Sequence, residues 1–267
     1  MLIFLLILGA AVFALAQYLR RTGMFFPDRY PNGRWDIGQW QIVPTEHWLT
    51  TRDGVRLHAW LFRATDADAP VMLWFHGNAG NLTDRAEMAA EHARRGVSVF
   101  LFDYRGFGRS GGKTSESQLF LDGEAAFAFV RTLGAKRIVL YGESVGGPYA
   151  ARIARDHKGE VAAVIIENSF PSLKDIGNTL YAPLPLGWMA PFALRTTHWL
   201  NEAGVPVLVM HGKRDAVIPY ALGSKLYEEL RVPKEMLTSP NAGHCEIPLF
   251  DAPRYYETVI RFAKTAK

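Results

Sequence analysis

Ser144 is the residue of this chain whose surroundings best suit nucleophilic chemistry. It lies between Gly142 and Gly146 in the stretch GESVG, after a strand-like apolar run, Arg137–Tyr141, and before a helical pattern. A serine reaches a substrate from a sharp strand-to-helix turn, whose strained backbone requires glycine two residues before and two residues after the serine. The pattern predicts a nucleophile elbow with Ser144 at its tip.

A serine hydroxyl is a weak nucleophile until a base accepts its proton, so a histidine and an acid are needed as well. Asp215 lies in MHGKRDAVIP, just after the apolar run Val205–His211, and His244 lies in NAGHCEIP after the last predicted strand. Serine, acid, histidine is one of the known chain orders of catalytic triads. We expect Ser144, Asp215 and His244 to meet, because each lies in a loop at the carboxyl end of a strand.

Other candidates have weaker patterns. His76 and His211 each precede a glycine at a strand end, which indicates that they shape loops. Asp103 is expected to fix the turn after its own strand. Cys245 is the only cysteine, so an intrachain disulfide is excluded. We interpret Cys245 as a packed neighbour of the triad histidine rather than as a nucleophile.

Two backbone amides are expected to stabilise the oxyanion of a tetrahedral intermediate. The elbow directs the N–H of Val145 toward the serine, and the start of the following helix favours negative charge. The stretch HGNAGN, His76–Asn81, follows the run Val71–Phe75, where a second donor is expected. We predict the backbone N–H of Asn78 as this donor, with Ala79 next; a simple glycine-rich turn is the alternative.

Other chemistries find less support. GFGRSG, Gly106–Gly111, has the glycine spacing of a dinucleotide-binding loop, but the next acids, Glu116 and Asp122, fall in a helical pattern, so we interpret it as an ordinary loop. No CxxC or HExxH pattern indicates a metal site, and we predict no metal and no cofactor. The net charge is +4, and no basic run interleaved with aromatic residues indicates a nucleic-acid partner.

Strand-like and helix-like segments alternate along the chain. Thr45–Thr51 and Arg56–Arg63 flank Arg52–Gly54, a hairpin signal. The further predicted strands are Val71–Phe75, Val97–Tyr104, Arg137–Tyr141, Val161–Glu167, Val205–His211 and Glu235–Thr238, and the predicted helices are Leu82–Arg95, Ser115–Leu133, Gly146–Asp156, Tyr220–Leu230 and Ala252–Ala263. This alternation predicts an α/β fold with a mostly parallel central sheet and helices on both faces. The chemistry of such sheets lies beyond the carboxyl ends of the strands.

One connection is too long and too apolar for an ordinary surface loop. We predict that residues 171–204 form a short cap insertion over the carboxyl ends of the strands, with its apolar part at Asn178–Leu194, NTLYAPLPLGWMAPFAL. Ligand sites are mostly apolar, so some of these side chains are expected to line a substrate pocket above the serine while the others pack on helices. The pocket candidates are Trp188, Met189 and Phe192.

The chain begins with an apolar run. From Met1 to Leu19 only Gln17 is strongly polar, and a helix of that length spans about 28 Å, close to the roughly 30 Å of a bilayer core. We predict that residues 1–21 form an uncleaved, single-pass transmembrane helix. A juxtamembrane linker, residues 22–44, and a catalytic domain, residues 45–267, are expected to follow.

The flanks of the run bear on its orientation and on its fate. Arg20 and Arg21 follow the run, so the positive-inside rule places the domain on the cytoplasmic side, with the extracytoplasmic side as the alternative. A cleaved secretory signal is the rival interpretation, because Ala14–Ala16 fits a cleavage site, although the positively charged segment that should precede the run is missing. A buried helix of the fold is the third alternative.

Five motifs occur in order along the chain: HGNAGN, DYRGFGRSGG, GESVGG, HGKRDAVIP and GHCEIP. From Glu46 to the C-terminus the chain therefore resembles the Bem46-like group of α/β-hydrolase serine hydrolases. The resemblance implies the α/β-hydrolase fold, a triad of Ser144, Asp215 and His244, and acyl ester or thioester substrates. The clustered cysteines of palmitoylated relatives are absent from this N-terminus, so membrane attachment must depend on the apolar helix.

These observations together favour a membrane-anchored serine esterase. Its expected substrates are small-molecule or lipid esters with short to medium acyl chains. Acyl-protein thioester or lysophospholipid hydrolysis would use the same residues. A catalytically silent binding protein on the same scaffold is the alternative from another class, and a fluorophosphonate probe, which labels an activated serine, distinguishes it.

Deletion of residues 1–21 is expected to convert a membrane-bound protein into a soluble, active one, because the apolar run lies upstream of the predicted domain. Fractionation of cell extracts followed by an ester hydrolysis assay measures both properties. Wild-type protein in the soluble fraction with Gln17 as its first residue would instead support the signal-peptide interpretation.

Overall fold

The computed structural model describes residues 24–40, 42–180 and 194–266. Within these residues one sheet has eight strands: β1 Thr45–Thr50, β2 Arg56–Phe62, β3 Val71–Phe75, β4 Ser98–Phe102, β5 Ile138–Glu143, β6 Ala163–Glu167, β7 Val207–Gly212 and β8 Lys234–Ser239. The described helices are α1 Ala86–Arg94, α2 Leu119–Thr132, α3 Gly146–Asp156, α4 Leu173–Leu180, α5 Thr196–Ala203, α6 Tyr220–Glu229, α7 Ile247–Phe250 and α8 Ala252–Thr265.

The strand order across this sheet is β8-β7-β6-β5-β3-β4-β2-β1. Strand β2 pairs antiparallel with β1 and β4, and the other neighbouring strands are parallel. The chain therefore extends the sheet to one side of β3 and then, from β5 onward, to the other. Open α/β sheets bind ligands at such a topological switch point, which here lies between the carboxyl ends of β3 and β5.

The central strands are apolar because both faces of the sheet are covered. Every residue of β3, β4, β5 and β6 is buried. The core on one face includes side chains of α2, α3, α5 and α6, among them Phe127 and Tyr149. The core on the other face includes side chains of α1 and α8, among them Ala89 and Tyr255. The predicted α/β fold, with a mostly parallel sheet between two helical layers, is confirmed.

The helix predicted over Leu82–Arg95 is interrupted near its start. Asn81 and Asp84 form a capping box around a separate 3₁₀ turn, Leu82–Asp84, and the α-helix begins only at Ala86. A capping box satisfies backbone donors at a helix start, which explains why the turn is a distinct unit. The helical pattern in the sequence continues through both units and does not show this break.

The range predicted as a cap, residues 171–204, has two described helices, α4 and α5. Helix α5 lies in the connection between β6 and β7, and its Trp199 and Leu200 are buried in the core of the domain. This end of the range is therefore part of a helical layer of the domain.

Two predicted features lie outside the described residues: the anchor at residues 1–21 and the pocket candidates Trp188, Met189 and Phe192. In the part of the chain that the structure describes, no helix has both the length and the apolar composition required to cross a bilayer.

Residues 24–34, which we call the N-terminal strap, lie against the loops that follow β3 and β4. Phe26–Pro27 pairs in parallel with Ala79–Gly80. Phe25 is buried, and its ring centroid is 6.5 Å from that of Phe107. Much of the segment predicted as a linker is therefore an integral part of the domain.

A buried polar cluster lies beneath the carboxyl ends of β5 and β6. Glu167, the last residue of β6, accepts a hydrogen bond from the Tyr141 hydroxyl, whose oxygen is 2.8 Å from that of the Tyr255 hydroxyl. The other carboxyl oxygen of Glu167 has no partner among the described residues. Burial raises the pKa of Glu167 to about 8, so this carboxyl is neutral at pH 7.

The raised pKa of Glu167 predicts a pH-dependent stability term. Stability from such a group is fully present below the ordinary glutamate pKa and is lost as the pH rises through about 8, at about 1.4 kcal/mol per pH unit. Glu167→Gln cannot ionise, so its free energy of unfolding should fall less between about pH 5 and pH 8 than that of the wild type. Urea unfolding across this range measures the difference.

Glu257→Gln, at an exposed position of α8, is the matched control and should keep the wild-type pH dependence. The same pH dependence in Glu167→Gln as in the wild type would contradict a neutral buried carboxyl at this position.

Candidate active site

Ser144 occupies the sharp turn between β5 and α3. Its φ is +53°, in the left-handed region that residues other than glycine rarely adopt. A Cβ on Gly142 would lie 2.6 Å from the Cα of Gly147, and a Cβ on Gly146 would lie 2.0 Å from the carbonyl oxygen of Phe75. The glycines of GESVG are thus required because α3 approaches both β5 and β3 at backbone distance.

The three predicted triad residues meet at this turn. The Nε2 of His244 is 3.0 Å from the Oγ of Ser144, and its Nδ1 is 2.8 Å from the Oδ2 of Asp215. A carboxylate can only accept, so Nδ1 carries the proton and donates to Asp215, while Nε2 accepts from the serine hydroxyl. A hydroxyl linked in this way through a neutral imidazole to a buried carboxylate can be activated as a nucleophile.

The carboxylate of Asp215 is held by several donors. Its Oδ1 accepts from the N–H groups of Val217 and Ile218, both at 2.8 Å. Its Oδ2 accepts from Asn168 Nδ2 at 2.6 Å as well as from the triad histidine. Burial opposes ionisation, but the His211 ring, whose Nε2 lies 3.3 Å from Oδ2, and the hydrogen bonds from His244 and Asn168 hold the pKa of Asp215 well below its ordinary value. The Asp215 carboxylate therefore stays charged at neutral pH.

Asn168 is a site residue that the sequence analysis missed. It directly follows β6 with a φ of +47°, and its Nδ2 also lies 3.3 Å from the carbonyl oxygen of Gly243. Asn168 thus joins the loop that carries Asp215 to the loop that carries His244. A signal was available, because the polar stretch Glu167–Ser169 ends an apolar strand at the edge where the chemistry is expected.

Two further histidines hold the loops of the site in place. His76 Nδ1 donates to the carbonyl of Gly77 at 2.8 Å, and burial lowers the pKa of His76 to about 3, so the ring is neutral. His211 Nε2 donates to the carbonyl of Ile218 at 2.8 Å. Gly223 leaves room for His211, since a Cβ there would lie 2.1 Å from its Nδ1. Both rings have the loop-shaping role that their positions at strand ends indicate.

The predicted oxyanion donors, the amides of Asn78 and Val145, come from the two loops that meet at Ser144. Neither N–H donates to an acceptor among the described residues. The loop after β3 passes close to the serine, because a Cβ on Gly77 would lie 3.7 Å from the Cβ of Ser144. Val145 is the N-cap of α3, and a helix N-terminus carries partial positive charge. Within the described residues, neither amide therefore has an acceptor that would compete with an oxyanion.

Arg85, which the sequence analysis did not single out, connects these two loops. Its Nε and Nη2 donate to the carboxylate oxygens of Glu143 at 3.1 and 2.6 Å, and its Nη1 donates to the carbonyl of Ala79 at 3.1 Å. Burial works against ionisation of Glu143, but the guanidinium of Arg85 holds its pKa below the ordinary value. Since Glu143 precedes Ser144 and Ala79 follows Asn78, Arg85 ties the elbow to the loop that carries the predicted second oxyanion donor.

Cys245 is poorly suited to act as a nucleophile. Burial raises the pKa of its thiol well above the ordinary value, and the nearby Glu143 carboxylate raises it further. The thiol therefore stays protonated at neutral pH. Its backbone has a φ of +55°, which turns the chain directly after His244. These features favour a role as a packed neighbour.

The glycine-rich stretch Gly106–Gly111, which has the spacing of a dinucleotide-binding loop, forms an ordinary loop after β4. The N–H of Gly106 donates to the carbonyl of Gly111 at 2.8 Å, and the next helix begins only at Leu119. Asp103, at the start of this loop, accepts from the N–H of Leu82 at 2.8 Å, so its side chain ties the end of β4 to the 3₁₀ turn Leu82–Asp84 in the connection after β3. Across the described ranges, no group of three or more His, Cys, Asp or Glu side chains could hold a metal ion.

Comparison with known proteins places these features in a family. Residues 70–186 match a family model described as alpha/beta hydrolase fold, and residues 185–252 match one described as TAP-like protein. The alpha/beta hydrolase domain-containing protein WAV2 of Arabidopsis thaliana is 30% identical over 242 residues, which cover 83% of this chain and 79% of that protein. Protein bem46 of Schizosaccharomyces pombe is 31% identical over 183 residues, which cover 64% of this chain and 60% of that protein.

Among solved structures, an esterase of Pyrococcus furiosus shares the fold, with a TM-score of 0.72 and 22% identity over 90% of this chain and 97% of that one. The arrangement of Ser144, His244 and Asp215, the order of the strands in the sheet and these matches agree on the family. The chain belongs to the α/β-hydrolase family, in the Bem46-like group that includes WAV2 and bem46.

Proposed function

We propose that the protein is a serine hydrolase that cleaves carboxylic acyl esters through an acyl-enzyme intermediate. The observation that carries the proposal is the hydrogen-bonded chain from Ser144 through His244 to Asp215, with distances of 3.0 and 2.8 Å. An ester carbonyl can be attacked by such a serine without a cofactor. The similarity to solved structures named as esterases, from Pyrococcus furiosus and Rhodococcus, supports the same reaction class.

In the acylation half of the proposed reaction, Ser144 Oγ attacks the carbonyl carbon of the ester while His244 Nε2 takes the serine proton. The carbonyl oxygen becomes an oxyanion and accepts hydrogen bonds from the amides of Val145 and Asn78. As the intermediate collapses, the bond from carbon to the alcohol oxygen breaks, and His244 gives its proton to that oxygen. The acyl group remains bound to Ser144.

In the deacylation half, a water molecule takes the place of the alcohol. His244 Nε2 removes a proton from this water as it attacks the acyl carbon, and the same two amides stabilise the second oxyanion. The bond to Ser144 Oγ then breaks, and the proton passes from His244 to the serine. Asp215 remains ionised throughout, orients the imidazole and stabilises its charged form, in keeping with its lowered pKa.

The two amides are expected to act mainly on the catalytic rate. Negative charge on the carbonyl oxygen develops in the transition state, so donors aimed at it stabilise that state more than the bound ester. Loss of one such donor costs about 3 kcal/mol in enzymes of this mechanism. Membrane attachment through residues 1–21, with lipid esters among the substrates, completes the proposal.

Substitution of the triad should remove hydrolysis of p-nitrophenyl butyrate. Ser144→Ala is expected to lower kcat by about a million-fold, and His244→Ala should match it because the two residues act as a unit. Asp215→Asn is expected to cost about ten-thousand-fold. Steady-state kinetics on variants whose circular dichroism matches the wild type measures these losses. Retention of more than about a tenth of the wild-type rate by Ser144→Ala would show that another group is the nucleophile.

Cys245→Ala is the neighbouring control and should stay within a few-fold of wild-type activity, since the thiol is protonated at neutral pH. A loss as large as that of Ser144→Ala would show that the thiol takes part in the reaction.

The acyl chain should influence the rate. If the apolar segment Asn178–Leu194 lines the acyl pocket, each buried methylene contributes about 0.8 kcal/mol, and a few added carbons raise kcat/KM by about an order of magnitude. We expect kcat/KM to rise from the acetate to about the butyrate or octanoate ester and then to fall. Trp188→Ala should flatten this rise and spare acetate hydrolysis. A flat chain-length series in the wild type would show that the segment does not select the acyl group.

A further inference from the structure

The N-terminal strap is bonded directly to the residue proposed as the second oxyanion donor. The N–H of Phe26 donates to the carbonyl of Asn78 at 2.7 Å, and the side-chain Nδ2 of Asn78 donates to the carbonyl of Met24 at 2.7 Å. The N–H of Asp28 donates to the carbonyl of Gly80 at 2.9 Å. The strap therefore holds both the main-chain carbonyl and the side-chain amide of Asn78.

The direction of the Asn78 amide depends on the peptide groups around it. A peptide group is planar, so the N–H of Asn78 points away from the carbonyl of Gly77, which accepts from His76 at 2.8 Å. The carbonyl of Ala79 accepts from Arg85 at 3.1 Å. The carbonyl of Asn78 lies between these two and is held by the strap. Three successive carbonyls are thus fixed, while the N–H of Asn78 has no acceptor among the described residues.

The strap is firmly attached on both sides of this contact. Phe25 is 7% exposed and packs its ring edge-to-face on Phe107. Arg29 donates to the carbonyls of Gly106 and Gly112 at 3.1 and 3.0 Å. The buried side chain of Asn81 donates to the carbonyls of Asp28 and Asn32 at 3.1 and 2.9 Å. A segment attached at so many points can impose its position on the oxyanion loop.

We propose that the N-terminal strap is a positioning element for the oxyanion site, and that it acts by fixing the orientation of the Asn78 amide. This inference rests on the proposed hydrolase function. The strap does not touch the reacting atoms. Its contribution is that the Asn78 N–H already points toward the position of the oxyanion when the ester binds, so that no peptide rotation is needed during the reaction.

A positioning role predicts a specific kinetic pattern. Asn78→Ala removes the side-chain bond to Met24 and leaves the backbone N–H in place. Since the oxyanion exists only after attack, misalignment of this N–H should lower kcat and leave KM within about twofold of the wild type. We expect kcat to fall by about tenfold to a hundredfold, less than the full loss of a donor.

The assay should count only folded active sites. Active sites are titrated with a fluorophosphonate, and kcat is then expressed per labelled serine, which removes the effect of any unfolded fraction. Inhibition by an arylboronic acid gives a second readout, because its tetrahedral anionic adduct with the serine occupies the oxyanion site. Its affinity should weaken in proportion to kcat/KM in Asn78→Ala.

Asn201→Ala is the matched control. Asn201 also bonds backbone groups through its side chain, to the carbonyl of Glu229 at 3.1 Å and from the N–H of Arg231 at 2.6 Å. It lies in the last turns of α5, before the amino end of β7, whereas Ser144 follows the carboxyl end of β5. This variant should lose thermal stability in the same way and keep the wild-type kcat per active site. An equal loss of kcat in both variants would show that general loosening explains the effect, and would overturn the proposal.

Phe26→Pro provides a second test that leaves Asn78 intact. Proline has no N–H, so it deletes the bond to the Asn78 carbonyl. The expected result is again a lower kcat with little change in KM. Wild-type kcat per active site in both Asn78→Ala and Phe26→Pro would overturn the role of the strap while leaving the hydrolase intact. A wild type that neither hydrolyses esters nor labels with fluorophosphonate would overturn the proposed function, and the strap role with it.

Discussion

The structure of the site depends on how closely α3 approaches the carboxyl end of β3. Gly146, the first residue of α3, lies so near the Phe75 carbonyl that a Cβ would come within 2.0 Å of that oxygen. The helix can begin there only if the chain turns sharply after β5, which forces a φ of +53° on Ser144. The loop after β3 must then leave directly beside the serine. One contact thus sets both the exposure of Ser144, the proposed nucleophile, and the place of the loop that carries Asn78, the proposed second oxyanion donor.

Around this turn, buried carboxyl groups differ in charge because their partners differ. Asp215 has donors on both oxygens and stays ionised, and Glu143 stays ionised beside Arg85. Among the described residues, the Glu167 carboxyl has only a tyrosine hydroxyl as a donor, and burial keeps it protonated at neutral pH. The charged carboxylates Asp215 and Glu143 therefore both have donors, which suits the proposed mechanism, in which new negative charge must appear on the carbonyl oxygen.

The residues that could be found from the sequence are those whose role depends on local geometry. Ser144 and its glycines, Asp215 and His244 each follow a strand within a few residues, so pattern and chain order suffice to identify them. Arg85 could not be found in this way, because it acts on a partner 58 positions away. Asn168 directly follows a strand, so its position could be noticed, but its partner Asp215 is 47 positions away and no local pattern links the two. The strap was missed for the same reason: its pairing with Ala79–Gly80 has no periodicity of its own. The alternation of strand-like and helix-like segments was enough to predict the fold. The bounds of the 3₁₀ turn at Leu82–Asp84 were not predicted, because they depend on a side-chain cap.

Local geometry and long-range contacts contribute differently to function in this family. A solved structure only 22% identical shares the fold with a TM-score of 0.72, so the fold tolerates replacement of most of its residues. A fold by itself does not specify a reaction. A reaction requires groups placed to within a fraction of an ångström, which a sheet edge and a glycine turn do not ensure. Here the long-range contacts supply this placement: Asn168 on the acid, Arg85 between the two loops, and the strap on Asn78. Differences in activity between relatives with the same triad should therefore be sought first in these supporting residues.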